Sequence, residues 1–304
     1  MTRKLATSLG ALALPNPVVV AAGCGGTGRE LRPYADLAAL GAFTTSTLTP
    51  DPQPGNRPPR LAESPSGLIT SLGLPNGGVD GFLLRDLQWL TDRGIRTIVS
   101  IAGPDAAGYA EVARRLDGVP GIAALELNLT GDHERIVSAV REVSGLPLLA
   151  KLMPDGVVAA AQAAVRGGAD GVTLVNGIPA MAIDPGTLRP VPAGPGALSG
   201  PAIHPIAVNA VYEVHAAMPE LPIIGTGGVA TGWDALELVL AGASAVGVGT
   251  ALIHDPGAAD RITAELADAL ETCHLPSLAA AIGRAHHDGP MDLREQVREM
   301  ETTG

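Results

Sequence analysis

Short runs of apolar, often β-branched residues recur along the chain. Each ends in glycine or a polar turn and is followed by a segment whose apolar positions repeat every three to four residues. Eight such runs predict strands: 16–23 (NPVVVAAG), 41–49, 96–103, 123–130 (AALELNLT), 147–154, 171–177, 222–228 (PIIGTGG) and 244–252. The intervening segments 30–41, 106–118, 133–145, 157–168, 204–218 and 231–242 predict helices, several of them closed by a glycine just before the next strand. Eight βα alternations point to an α/β fold closed into a single (β/α)8 TIM barrel over 1–304, since an open doubly wound sheet rarely needs eight parallel strands in this length. Two stretches, 49–60 (TPDPQPGNRPPR) and 178–202, are too long for tight βα turns. They are expected as extended loops at the C-terminal face of the barrel, where loops shape a pocket.

Composition sharpens this picture. Apolar residues make up 46% of the chain but aromatics only 2%, so the core must be built from Ala, Val, Leu and Ile, as in a parallel sheet covered by helices. Thirty-one acidic against 20 basic residues give a formal charge of −11 with no basic run, which argues against nucleic acid or an anionic membrane as partner. Cys24 and Cys273 lie far apart without metal-binding spacing, so a disulfide framework is not expected and a reducing cytoplasm is the simpler location. The N-terminal residues show no signal-peptide core, and no 18-residue apolar span follows.

The candidate chemistry starts late in the chain. Gly225-Thr226-Gly227-Gly228 closes the seventh strand and Gly247-Val248-Gly249-Thr250 ends the eighth. Barrels often bind a phosphate between the loops after these two strands, with bare backbone N–H groups as donors. A phosphorylated ligand or cofactor is therefore expected, against the plainer reading that the glycines only make tight turns.

Ordered motifs then carry a resemblance. GRE at 28–30, GNRPPR at 55–60, SPSGLITSLGLPNGGVDGFL at 64–83, SIAG at 100–103, GIAALELN at 121–128, AKLMP at 150–154, GADGVTLVN at 168–176, MAID at 181–184 and LSGPAIHPIA at 198–207 run in sequence, with PIIGTGGV and AGASAVGVGT after them. Together they resemble the dihydroorotate dehydrogenase family, in particular its class 1B catalytic subunits. The resemblance implies a TIM barrel with FMN at its C-terminal face, a homodimer, and an iron–sulfur/FAD partner subunit that this chain's two cysteines cannot replace. Carried over residue by residue, it puts Ala22 and Gly23 beside the flavin. Ser46, Asn128, Lys151 and Asn176 are implied near ring and substrate, and Ser199 and Gly200 on a covering loop. Gly227, Gly228, Gly249 and Thr250 are implied at the phosphate. Lys151 fits on physical grounds too, as a cation ending an apolar strand, where it could stabilise the negative charge of a reduced ring.

The pattern breaks at the substrate. The family's Asn-(Leu/Ile)-Ser-Cys-Pro-Asn motif, whose cysteine is the base, reads here Asn128-Leu129-Thr130-Gly131-Asp132-His133, and the polar segment after it is cut short. Ser46 replaces a family lysine, Thr70 an asparagine and His133 another, leaving Asn128 and Asn176 of the substrate-gripping asparagines. The flavin-holding residues persist while the base and its neighbours do not, so the expectation is an FMN-dependent oxidoreductase acting on another substrate. That chemistry is hydride transfer at a C–C bond next to a carbonyl. Authentic dihydroorotate oxidation with a substitute base and a non-catalytic FMN-binding protein are the alternatives. His133 is the first candidate base, Asp132 the second unless it is only an N-cap, and Thr130 a candidate hydroxyl donor. Cys24, just past the flavin-side strand, could reach the flavin but is more simply a small buried hydrophobe, His204 is expected to be structural on the barrel's exterior, and His286 and His287 carry no readable pattern.

Overall fold

The computed structural model describes residues 2–287. Its eight parallel strands are β1 Val18–Val20, β2 Ala42–Thr44, β3 Thr97–Ile101, β4 Ile122–Asn128, β5 Leu148–Leu152, β6 Gly171–Leu174, β7 Ile223–Thr226 and β8 Ala245–Val248. They pair in sequence order, and β8 returns to β1, so the barrel is closed. Each strand falls on one of the eight predicted runs, with only β4 starting a residue earlier, at Ile122. The trimming comes at the C-terminal ends, where backbone leaves the ladder to form site loops.

Five of the six expected helices form: Ala106–Leu116, His133–Arg141, Val157–Arg166, His204–Ala217 and Gly232–Ala241. Their starts follow local chemistry. Asp105 accepts from the Gly108 N–H, and Thr231 with Asp234 builds a reciprocal capping box. The sixth expectation, a helix over 30–41, is corrected: that segment is a chain of turns. Pro33 has no N–H to donate and Asp36 turns its carboxylate onto the Ala38 N–H, so only one helical turn closes, Ala35 N–H to Leu31 C=O at 3.0 Å.

Of the two expected loops at the C-terminal face, 49–60 is irregular as expected, whereas 178–202 is corrected. Strands Leu61–Ser64, Gly67–Thr70, Ile178–Asp184 and Arg189–Ser199 form a four-stranded antiparallel sheet, with 189–199 paired to both 178–184 and 67–70. This sheet roofs the barrel mouth. At the opposite end a hairpin, Thr7–Leu9 with Leu12–Leu14, inserts Leu9 and Leu14 against Val19, Ala42, Ile98, Ala124, Leu149, Ile224 and Ala245. That apolar layer plugs the bottom, so any ligand must enter from the roofed end. The larger core lies between strands and helices and is aliphatic, with Phe43 and Tyr109 among its few rings.

Candidate functional site

The period of two along a strand sets the barrel interior. On β4, Ala124 belongs to the bottom plug, so Glu126 and Asn128 rise above it on the same face. On β5, Leu149 belongs to the plug and Lys151 sits one layer above. The middle layer is therefore polar and deeply buried. Glu126 is 2% and Lys151 8% exposed, with Lys151 Nζ 3.5 Å from Glu126 Oε1. Thr173 of β6 donates its hydroxyl to Glu126 Oε2 at 3.0 Å, while Oε1 has no hydrogen-bond partner. A buried ammonium is tolerable only with such a counter-charge, and removing one member strands the other at a cost of about 3–5 kcal/mol. Glu126 was not singled out in the sequence, although a carboxylate in the middle of the apolar run LELNL was a visible signal.

Above Lys151 opens a cavity of about 700 Å3 between the strand ends and the roof. Ala22, Gly23, Thr70, Lys151, Asn176, Ser199, Gly200, Gly227, Gly228, Gly249 and Thr250 all line it, so most of the sequence-predicted cofactor residues are brought together. At the β7–β8 end the backbone is shaped for close approach. Gly227, Gly228 and Gly200 have φ of +139°, +72° and +92°. A Cβ on Gly228 would lie 2.7 Å from His204 Cβ, so no larger residue fits. Among the described residues, the N–H groups of Gly228, Gly249 and Thr250 donate to no acceptor within the chain. Thr250 Oγ1 donates to Ser199 Oγ at 2.8 Å, and Ser199 Oγ donates to the Leu68 carbonyl, linking the end of β8 to the roof. Such a concave set of bare donors suits a phosphate. Arg261 also lines this end, but its guanidinium is committed to Asp255 at 3.0 Å and Glu265 at 2.9 Å, which push its pKa up.

The end of β4 is built differently. Asn176 Nδ2 donates to Asn128 Oδ1 at 2.8 Å, and the Tyr109 hydroxyl donates to the Asn128 carbonyl at 2.5 Å, fixing the strand end. Beyond it Thr130, Gly131 and Asp132 are exposed and His133 half-buried, and none of them lines the cavity. Asp132 is the N-cap of helix His133–Arg141, its carboxylate accepting from the Arg135 N–H at 3.1 Å. Ser46 and Asn128 also lie outside the lining. Gly131 has φ +89°, with nothing within 4 Å of the position a Cβ would take.

Two more residues marked in the sequence flank the site: His204 is more deeply buried than expected, and Cys24 packs against the core as expected while also lining the cavity. His204 is 8% exposed, not exterior, with Nδ1 2.9 Å from the Gly227 carbonyl and Nε2 3.1 Å from Glu237 Oε2. Cys24 lines the cavity, its Sγ 3.3 Å from where a Cβ on Gly249 would stand. Burial pushes its thiol pKa up, against a smaller downward pull from the Lys151 charge.

The comparisons agree with this architecture. The family model described as dihydroorotate dehydrogenase matches residues 4–270. A dihydroorotate dehydrogenase B (NAD(+)) catalytic subunit from Desulforudis audaxviator is 43% identical, covering 95% of this chain and the full length of that protein. Proteins of the same description from Anoxybacillus flavithermus and Geobacillus kaustophilus are each 40% identical, over 94% of this chain and 97% of their own.

Proposed function

The chain belongs to the dihydroorotate dehydrogenase family, and from that membership we propose that it is an FMN-dependent oxidoreductase whose substrate is not dihydroorotate. The lining supports the cofactor on its own terms. Bare N–H groups and glycines at the ends of β7 and β8 match a phosphate. The glycine-bearing end of β1 leaves open space, and Lys151 offers a buried cation to the polar edge of a ring. FMN, when bound, supplies hydride transfer at C–C bonds next to a carbonyl. We assign Gly227, Gly228, Gly249 and Thr250 to its phosphate. Lys151, Asn176, Ala22 and Gly23 go to its ring, with Ser199 and Gly200 on the covering side.

One observation carries the change of substrate: the position of the family's base is Gly131, which has no group to accept a proton, and the loop bearing it is off the cavity lining. Loss of a positioned base costs about 10²–10⁴-fold. Thr70 and Ser46, standing where the family has amide and ammonium groups, leave fewer donors for a carboxylate, so we assign the pocket to a larger or less anionic ligand. For the proton step we place Cys24 ahead of His133, Asp132 and Thr130, because Cys24 lines the cavity and they do not. Burial raises its thiol pKa, so the group rests with the proton that saturation of a conjugated C–C bond consumes. Family membership also supports a homodimer and an electron-transfer partner subunit, and Cys24 and Cys273 alone furnish no iron–sulfur ligand set.

The test is anaerobic addition of dihydroorotate to the purified yellow protein. The flavin absorbance is expected to persist; rapid bleaching with orotate formation would return the protein to the family reaction. A protein that is colourless and does not take up added FMN would overturn the cofactor assignment.

A further inference from the structure

His204 opens helix His204–Ala217 and lies directly behind the glycine turn that ends β7. Both of its ring nitrogens are within hydrogen-bond distance of an oxygen: Nδ1 of the Gly227 carbonyl at 2.9 Å, Nε2 of Glu237 Oε2 at 3.1 Å. A neutral imidazole has one donor and one acceptor nitrogen. A carbonyl oxygen only accepts, and so does an ionised carboxylate. Both contacts are satisfied together only when both nitrogens carry hydrogen, that is, as the imidazolium. Glu237 is more than half exposed, and its Oε2 is the oxygen that faces the ring. The second carboxylate near the ring, Asp234 Oδ1 at 4.0 Å, adds to the same field. Helix Val157–Arg166, β6, β7 and the turn at 201–203 also pack against this helix. Among the described residues, none of them brings an acidic or basic group into ion-pair reach of the ring.

The contact on the Gly227 carbonyl has a second effect. The Gly227–Gly228 peptide is trans and planar, so its carbonyl and the Gly228 N–H point in opposite directions. Holding the carbonyl on the His204 side turns the Gly228 N–H toward the cavity it lines.

We propose that His204 is a cationic positioning residue for the cofactor phosphate: as imidazolium it anchors the Gly227 carbonyl, aims the Gly228 N–H, and places a buried positive charge behind the cradle. The proposal rests on the FMN reading above. It makes phosphate recognition, and not ring recognition, dependent on a histidine proton.

The experiment measures the affinity of flavin-stripped protein for FMN and for riboflavin, which lacks the phosphate, between about pH 5 and 8, where histidine changes charge. Wild type, His204→Lys and His204→Gln are compared, and the His204 ring signal is followed by NMR, assigned by its absence in His204→Gln. Referring the FMN curve of wild type to that of His204→Lys removes the ionisation of the phosphate itself, near pH ~6. Relative to His204→Lys, wild-type FMN affinity is expected to fall about tenfold as the imidazolium signal is lost with rising pH. Riboflavin affinity stays level. His204→Gln is expected to bind FMN weakly throughout, and His204→Lys to restore tight binding at the upper end. Wild-type and His204→Gln FMN curves that superimpose would overturn the proposal while leaving the FMN reading intact. Failure of wild type to bind either flavin at any pH would overturn both.

Discussion

The two ends of the cavity are built by opposite means. At the ends of β7 and β8 recognition is done by backbone, with glycines at positive φ and N–H groups left without internal acceptors. At the end of β4 it would have to be done by side chains, and there Thr130, Gly131, Asp132 and His133 turn away into a short exposed loop and a helix cap. A backbone cradle is constrained by neighbours such as His204 and Ala207, against which any added Cβ would collide, so it changes with difficulty. A side-chain surface at a rim can be rewritten one residue at a time. On the reading proposed above, the cofactor end is kept while the substrate end is rewritten, so that one barrel serves another reaction.

The contrast breaks first where the backbone is tightest. Gly228→Ala, with φ +72° and His204 Cβ 2.7 Å from the new methyl, is expected to abolish retention of FMN through purification, read by the flavin-to-protein absorbance ratio. Next is the buried pair. Lys151→Met leaves Glu126 uncompensated and is expected to lower stability by about 3–5 kcal/mol in denaturant unfolding, whereas Lys151→Met with Glu126→Gln should recover most of it. If the single and double variants unfold alike, the pair is not a unit. At the substrate end, Cys24→Ser is expected to slow reoxidation of the reduced protein by a conjugated enone about 100-fold, and His133→Ala by less than about twofold; the reverse ranking would return the proton step to the rim. Gly131→Cys is expected to leave dihydroorotate oxidation undetectable, because φ of +89° strains any side chain there and the loop stands off the lining.

The smallest effect lies far from the cavity. The His215 ring is wedged among Gly242, Gly283 and His286 with its Nδ1 unpartnered, and burial followed by the His286 charge pushes its pKa down. A histidine with a depressed folded-state value favours folding above its unfolded value of about 6.5, and that contribution is lost as pH falls. Thermal stability should therefore decline on acidification, and less steeply in His215→Gln. An unchanged slope would remove His215 from the account.

The barrel was legible because each of its strands carries its own local signal: a short, mostly apolar run ending in glycine or a turn. The roof was not. Strand 189–199 contains Pro190, Pro192, Pro195, Gly194 and Gly196, which read as loop; it becomes a strand by pairing along most of its length with 178–184 and, at 197–199, with residues 68–70, far away in sequence. The helix expected over 30–41 had apolar spacing but also Pro33. At the site, the glycines of β7 and β8 were readable because backbone recognition demands glycine. The charge partners were not: Glu126 and His204 act through contacts made across neighbouring strands and helices, and their spacing along the chain says nothing about those contacts.

The roof also sets an order of events during biosynthesis. Residues 61–70 leave the ribosome and can form their hairpin while 189–199 are still more than a hundred residues from being made. For that interval the 67–70 strand carries an unpaired edge. Several barrel strands, the whole of β3 to β6, emerge before the edge is covered, and Thr250 can reach Ser199 only later still. The pocket is thus among the last parts of the molecule to become whole, and a nascent chain paused between residues 175 and 188 holds six of the eight barrel strands with no ceiling.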